Sequence, residues 1–163
     1  MLPRTGERSQ RHTILHISFG NSFGLASALP PQGLSGAPNF ADNKIKKRIA
    51  REFNLPQHLI LESWIKSAVV LRNYLAHHSR VWNRKFPIKP KMTTPLRGKW
   101  VTPPIGNYDK LYSQLCYLQY LLNVIRPYND FTLRLKKLLR EHTNVDISAM
   151  GFPTNWECEP LWK

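Results

Sequence analysis

The stretch PQHLILESWIKSAVVLRNYLAH, residues 56–77, decides the fold because it carries apolar side chains at helical spacing over most of its length. Pro56 suits the first turn of a helix. The apolar positions that follow recur as they do along an α-helix. They are Leu59, Leu61, Trp64, Ile65, Ala68, Val69, Leu71, Leu75 and Ala76. An apolar surface this wide predicts a central helix that is mostly buried.

Three further helices are predicted, one before this stretch and two after it. Asp42 or Asn43 can cap the helix before it, Asn107 can cap the next one, which stops before Pro127, and Asp130 can cap the last. The expected inward faces are Ile45, Ile49, Ala50 and Phe53 in the first helix, Leu111, Leu115, Leu118, Leu121, Leu122 and Ile125 in the third, and Leu133, Leu135, Leu138 and Leu139 in the fourth. No strand pattern competes with them. The predicted fold class is therefore all-α, with about four main helices, a long basic loop over residues 85–107 and an irregular tail over residues 150–163.

The charge balance points to a polyanionic partner. The 163 residues hold 24 Lys and Arg against 10 Asp and Glu, a formal net charge of +14. Nucleic acid is the first expectation and an anionic membrane surface the second. The apolar share of 42 % excludes a wholly disordered chain, although residues 1–17 read as a disordered start.

The membrane and the oxidising compartments are not favoured as locations. No apolar run reaches the roughly 18 to 20 residues needed to span a bilayer. Cys116 and Cys158 fit no zinc spacing and are expected to be reduced thiols, so the predicted location is cytoplasmic.

The residues that carry chemistry are in RNYLAHHSRVWNR, residues 72–84. Asn73 and His77 are four apart and share a helical face, and Arg72 can flank the same cleft if the helix loosens near His77. A histidine can give or take a proton near neutral pH, and an arginine can hold a phosphate and stabilise its charge. These parts suffice for RNA cleavage without a metal, because the ribose 2′-hydroxyl is an internal nucleophile.

Plainer interpretations of the same segment stay open. Adjacent histidines such as His77 and His78 are often capping or surface features, and the basic residues from 80 to 99 can be a solvated face. A metal site is poorly supported, because no Asp or Glu occurs between Arg72 and Arg84 to complete a ligand shell. We therefore expect no metal and no cofactor.

The same segment resembles known ribonucleases. Arg72 to His77 is similar to the R-x4-H signature of the HEPN superfamily (higher eukaryotes and prokaryotes nucleotide-binding). The longer RNYLAHHSRVWNR string resembles the core of the Abi-like family of bacterial abortive infection proteins, which are implicated in defence against phage. Three more segments agree in order with that family: SFGLAS (22–27), IAREFNLP (49–56) and MGFPTNWECEPLW (150–162). The resemblance extends over residues 18–163.

The resemblance implies a HEPN-type helical bundle that cleaves RNA without a metal, with paired sites in a homodimer. Carried onto this chain, it makes His77 the general acid or base, Arg72 the phosphate ligand and Asn73 the residue that positions the imidazole or the substrate. His78 would substitute or assist. Expected RNA-backbone contacts are Arg80, Asn83, Arg84, Lys85, Lys89 and Lys91, with structural roles equally open for the first three.

The chain departs from the family in one respect. Family members are usually longer, with a helical portion before the SFG-like segment, and residues 1–17 match nothing in them. This predicts a truncated or split protein. Two alternatives to an active ribonuclease therefore stand: a non-catalytic RNA- or nucleotide-binding module, and an inactive remnant that pairs with a full-length relative. The sequence identifies no antitoxin.

Overall fold

The described part of the chain forms four α-helices and three short 3₁₀ turns. The structure, a computed structural model, describes residues 43–92, 96, 98–102 and 105–163. The helices are α1 (Asn43–Glu52), α2 (His58–Ala76), α3 (Leu111–Ile125) and α4 (Phe131–Glu141), and the 3₁₀ turns are Ser148–Met150, Trp156–Cys158 and Pro160–Trp162. No strand occurs among these residues, so the all-α prediction is confirmed. The segments 1–17 and 22–27 of the sequence analysis lie outside the described residues.

The core is built on α3, which packs against α2. Every residue of α3 from Leu111 to Leu121 is buried, including three polar ones. Polar side chains in such a place need partners. Two of them have partners nearby: the Ser67 hydroxyl of α2 donates to Gln114 Oε1, and the Ser113 hydroxyl donates to the Tyr108 carbonyl at 2.8 Å. These bonds fix α3 against α2 and against the loop before it.

An aromatic cluster joins the long loop to the helices. Trp64 of α2 is fully buried and stacks on Trp100, with ring centroids 5.7 Å apart. Tyr117 and Tyr120 of α3 close the cluster at 4.9 and 5.4 Å from Trp64. The Trp64 indole N–H donates to the Lys91 carbonyl at 2.8 Å, which satisfies its polar end.

The C-terminal segment covers the other side of α3. It lacks helical period, as predicted, yet its aromatic side chains are buried. Trp162 donates to the Tyr112 hydroxyl at 3.3 Å, and Phe152 lies 4.8 Å from the Tyr112 ring. Gly151 makes this approach possible, because its φ is +88° and a Cβ there would lie 2.8 Å from Lys110 Cβ.

Several expected core residues are instead on the surface. Of the four inward positions expected for the first helix, Ala50 is buried and Phe53, one residue beyond the end of α1, is half-buried, whereas Ile45 and Ile49 are 53 % and 45 % exposed. The helical period was correct, but the described residues pack against one flank of α1 and leave the isoleucine flank uncovered. The same correction applies to Leu59, Ile65, Ala76, Ile125 and Leu133.

Two helix starts also differ from the predicted ones. Asn107 does not cap α3, which begins at Leu111 behind Lys110, and the Asn107 carbonyl accepts the Lys110 N–H in a turn instead. Asp130 does precede α4, but its carboxylate bonds Arg134 at 2.7 Å and caps no backbone N–H. This charge-assisted bond lowers the pKa of the Asp130 carboxyl.

No helix in the described part of the chain is long and apolar enough to cross a membrane. Both cysteines are free, Cys116 buried and Cys158 exposed.

Candidate functional site

The candidate site is at the exposed end of α2, where the helix closes in a Schellman motif. His77 is the C-cap residue, and the next residue, His78, has a left-handed backbone with φ +52°. The His78 N–H donates to the Leu75 carbonyl at 3.1 Å, and the Ser79 N–H donates to the Tyr74 carbonyl at 2.8 Å. These two bonds define the motif and satisfy carbonyls that the helix would leave unpaired. The helix therefore ends within the Arg72-x4-His77 pattern.

A histidine is an unusual residue for the left-handed position of this motif. Glycine takes it most often and asparagine sometimes. The chain itself provides the comparison, because α1 ends in the same motif with Asn54 at φ +54°. A less favourable residue at a strained position is a reason to examine its side chain for a function.

The structure joins Arg72, Asn73 and His77 in part. Arg72 Nη1 donates to Asn73 Oδ1 at 3.2 Å, and the His77 N–H donates to the Asn73 carbonyl at 3.0 Å. Asn73, His77 and His78 are exposed, and Arg72 is half-buried. No hydrogen bond joins the His77 side chain to another residue in the described part of the chain. The helix ends at Ala76, one residue before His77, and the expectation that Arg72 flanks the same surface as His77 stays a prediction.

Asn83 and Arg84 make contacts within the protein. The Arg84 guanidinium lies 3.9 Å from the centre of the Tyr74 ring and donates to the Arg80 carbonyl at 3.3 Å. Asn83, with φ +45°, accepts a hydrogen bond from Lys110 Nζ at 2.8 Å. The stacked guanidinium and the bonded amide hold residues 80–84 against α2 and the start of α3. These contacts favour the positioning role that the sequence left open for both residues.

Lys85, Lys89 and Lys91 have exposed side chains on a backbone that is fastened to the core. The Phe86 N–H donates to the Asp109 carbonyl at 2.7 Å, and the Lys91 N–H donates to the Ser63 hydroxyl at 2.9 Å. The charged side chains are thus displayed by an anchored loop.

The region is positively charged throughout. The sequence contains no Asp or Glu between Glu62 and Asp109. Over the same interval it contains Lys66, Arg72, Arg80, Arg84, Lys85, Lys89, Lys91, Arg97 and Lys99. A surface with one sign of charge attracts polyanions and raises their local concentration.

The sequence analysis did not single out two residues that hold the site segment in place, Tyr74 and Lys110. Tyr74 carries the Arg84 guanidinium and also meets Phe86 edge-to-face at 5.9 Å. Tyr74 was inside the quoted segment, and its ten-residue spacing from Arg84 holds no helical signal. Lys110 is distant in sequence from Asn83, so no local pattern predicts their contact. Among the described residues, no group of three or more His, Cys, Asp or Glu side chains is placed to hold a metal ion.

The fold and the site define an all-α protein with an arginine- and histidine-bearing surface at a helix end. Residues 13–83 of the chain match the model of a protein family described as Abi-like protein. The match includes the SFGLAS and IAREFNLP segments, helices α1 and α2, and the site up to Asn83, and it supports the resemblance that these segments carry. It begins at residue 13, inside the stretch 1–17 that was expected to match nothing in the family, and it does not reach the MGFPTNWECEPLW segment, whose resemblance stays a prediction. Searches of curated proteins and of solved structures gave no match.

Proposed function

We propose that this protein is an abortive-infection protein of the Abi-like family that cleaves RNA at the end of α2. The observation that carries the proposal is the grouping at one helix end of an arginine, an asparagine and two histidines, inside the family match and within a sequence interval that holds nine Lys and Arg and no Asp or Glu. The HEPN relationship, the homodimer and the cytoplasmic location belong to the same proposal.

The proposed reaction is a transesterification in which atoms and charge balance. A general base takes the proton of a ribose 2′-hydroxyl, and that oxygen attacks the adjacent phosphorus. The bond from phosphorus to the 5′-oxygen breaks, and a general acid gives a proton to the leaving oxygen. The products are a 2′,3′-cyclic phosphate and a free 5′-hydroxyl.

The residues take roles that their placement supports. His77, exposed at the C-cap, moves a proton, and Arg72 binds the phosphate and stabilises its charge in the transition state. Asn73 holds Arg72 through its side chain, at a bond length of 3.2 Å. His78 assists from the left-handed position. Arg80, Lys85, Lys89 and Lys91 contact the RNA backbone.

The first test is cleavage of total RNA by the purified protein in EDTA, beside His77→Ala. We expect cleavage by the native protein and a loss of at least about 100-fold in the variant, as is typical when a proton-transfer group is removed. His58→Ala is the matched control, because His58 is at the opposite end of the same helix. It should cleave at the native rate.

RNA binding by the same variants separates the second candidate function. A non-catalytic binding module would lose affinity for RNA in His77→Ala, whereas a ribonuclease would lose cleavage and keep affinity within a few-fold. A folded native protein that binds RNA and never cleaves it would contradict the ribonuclease proposal and favour the module.

A further inference from the structure

We propose that a cleft beside the C-terminal segment binds one nucleobase of the RNA strand, with Glu159 accepting an amino N–H of the base. The inference rests on the proposed function insofar as RNA is the partner. It adds a recognition site for a base that is separate from the residues at the end of α2.

The cleft lies between residues 101, 102 and 105–107 on one side and residues 148–159 on the other, and it has a volume of about 440 Å³. This volume falls within the range of small-molecule sites. The side chains that matter for recognition are Thr102, Asn107, Tyr112, Phe152, Asn155 and Glu159.

Glu159 is a buried carboxylate with a free acceptor. It is 8 % exposed. Its Oε2 accepts two hydrogen bonds from Thr102, from the backbone N–H at 2.7 Å and from the hydroxyl at 2.8 Å. In the part of the chain that the structure describes, no hydrogen bond or ion pair reaches Oε1. Among the described residues, Gln119 Oε1 is the one side-chain polar atom that is both fully buried and without a partner, so Glu159 Oε1 keeps access to the cleft that the residue lines. A ligand N–H that enters the cleft can therefore reach this oxygen and take the place of water there.

The other lining groups favour a base over a simple cation. Tyr112 and Phe152 contribute apolar ring edges to the lining, and both rings are otherwise buried in the core. Asn107 and Asn155 have exposed side-chain amides that no hydrogen bond engages within the described residues. Each amide offers both donors and an acceptor, and base edges present both kinds of group, whereas an ammonium ion presents donors alone. Glu159 repels a phosphate, so it is the base that enters the cleft.

The cleft adjoins the candidate site through Lys110. The Lys110 side chain packs against Gly151 in the cleft wall, and its Nζ donates to Asn83 Oδ1. Asn83 belongs to the segment that begins with Arg72. One RNA strand can therefore place a base in the cleft while its backbone runs over Lys110 toward the basic residues near the end of α2. RNA-binding proteins commonly read unstacked bases in this way.

The test is calorimetric titration of the folded protein with adenosine, cytidine, guanosine and uridine, which carry no phosphate. We expect at least one of the three nucleosides with an exocyclic amino group to bind more tightly than uridine. Glu159→Gln should weaken that binding at least tenfold, because the amide is neutral and a poorer acceptor. Glu157→Gln is the matched control, since Glu157 is two residues away, pairs with Arg140 at 2.9 Å and does not line the cleft. It should bind as the native protein does.

Asn155→Ala provides a second variant, because Asn155 is exposed and its loss leaves the Thr102 bonds intact. This substitution should weaken binding of the same nucleoside if the cleft is the binding site. Absence of binding by all four nucleosides, or equal binding by the native protein and both cleft variants, overturns the inference. Binding of spermidine or arginine amide that excludes nucleosides also overturns it, in favour of a cationic ligand.

The two proposals fail in distinguishable ways. Nucleoside binding does not require cleavage, so it should persist in His77→Ala. Nucleoside binding without RNA cleavage would leave the cleft assignment standing and remove the ribonuclease. RNA cleavage without nucleoside binding would leave the ribonuclease proposal standing and remove the cleft assignment.

Discussion

His78 has a left-handed backbone at the point where α2 passes into the basic loop. That backbone is strained for most side chains and easy for glycine. The residue is exposed, so packing alone does not explain the choice of histidine. Its place one residue after His77 adds a second imidazole to the sequence segment that carries the proposed proton-transfer group.

Substitutions at His78 should separate the structural role from the chemical one. We expect His78→Gly to keep the free energy of unfolding within about 1 kcal/mol of the native value or raise it, because glycine suits the motif. His78→Val should lower it by about 1–3 kcal/mol, because a β-branched residue resists positive φ. Urea denaturation measures both values.

Asn54→Gly provides the comparison at the equivalent position after α1, where we expect the free energy of unfolding to change little or to rise. Loss of cleavage in a fully stable His78→Gly protein would assign the imidazole a chemical role. If His78→Gly instead unfolds the protein, the stabilising contribution of the histidine side chain has been underestimated.

The two cysteines offer a second check on single residues. Burial raises the pKa of the Cys116 thiol, and its position in the α3 core blocks access. The thiolate is the reactive form, so both effects protect Cys116. Cys158 is exposed.

We expect iodoacetamide at pH 8.5 to modify Cys158 in the folded protein and both thiols after unfolding in urea. Mass spectrometry of peptides locates the label. Fast modification of Cys116 in the folded state would contradict the packing of α3 against α2 and the C-terminal segment.

The helices show what a sequence can and cannot predict here. The spacing of apolar residues and the positions of helix-breaking residues predicted all four α-helices, including the end of α3 before Pro127. The same signals did not predict which side of each helix packs against the core, so Ile45, Ile49 and Leu133 were expected to be buried and are exposed. Periodicity identifies an apolar stripe on a helix but does not show which neighbouring element covers it. At the candidate site, Arg72, Asn73 and His77 were predicted from local spacing, and their roles stay predictions. Tyr74 with Arg84, Lys110 with Asn83, and the Glu159 cleft depend on contacts across the fold that no local pattern encodes.

For the molecule as a whole, the net charge of +14 should make RNA binding strongly dependent on salt. Each Lys or Arg that neutralises a phosphate of a single strand contributes about 0.7 to the slope of log K against log salt concentration. The anchored loop at residues 85–91 displays such charges. Its anchoring uses backbone atoms of Phe86 and Lys91, so side chains can be removed without releasing it.

We therefore expect Lys89→Ala with Lys91→Ala to weaken RNA binding and to reduce that slope by about 0.7 for each lysine that contacts the RNA. Fluorescence anisotropy at several salt concentrations measures it. Lys137→Ala is the control, since Lys137 lies on α4 and pairs with Glu141 at 3.8 Å. An equal change of slope in the control would show that binding reflects overall charge and no particular surface.

The contacts of Trp64 have a consequence for chain entropy. Its indole holds the Lys91 carbonyl and stacks on Trp100, so the chain leaves and returns at nearly one point. The entropy lost in closing a loop grows only with the logarithm of its length, by about 0.6 kcal/mol for each doubling. The interval from Lys91 to Trp100 is short, so closing it costs little chain entropy, and the two contacts of the Trp64 side chain offset that cost.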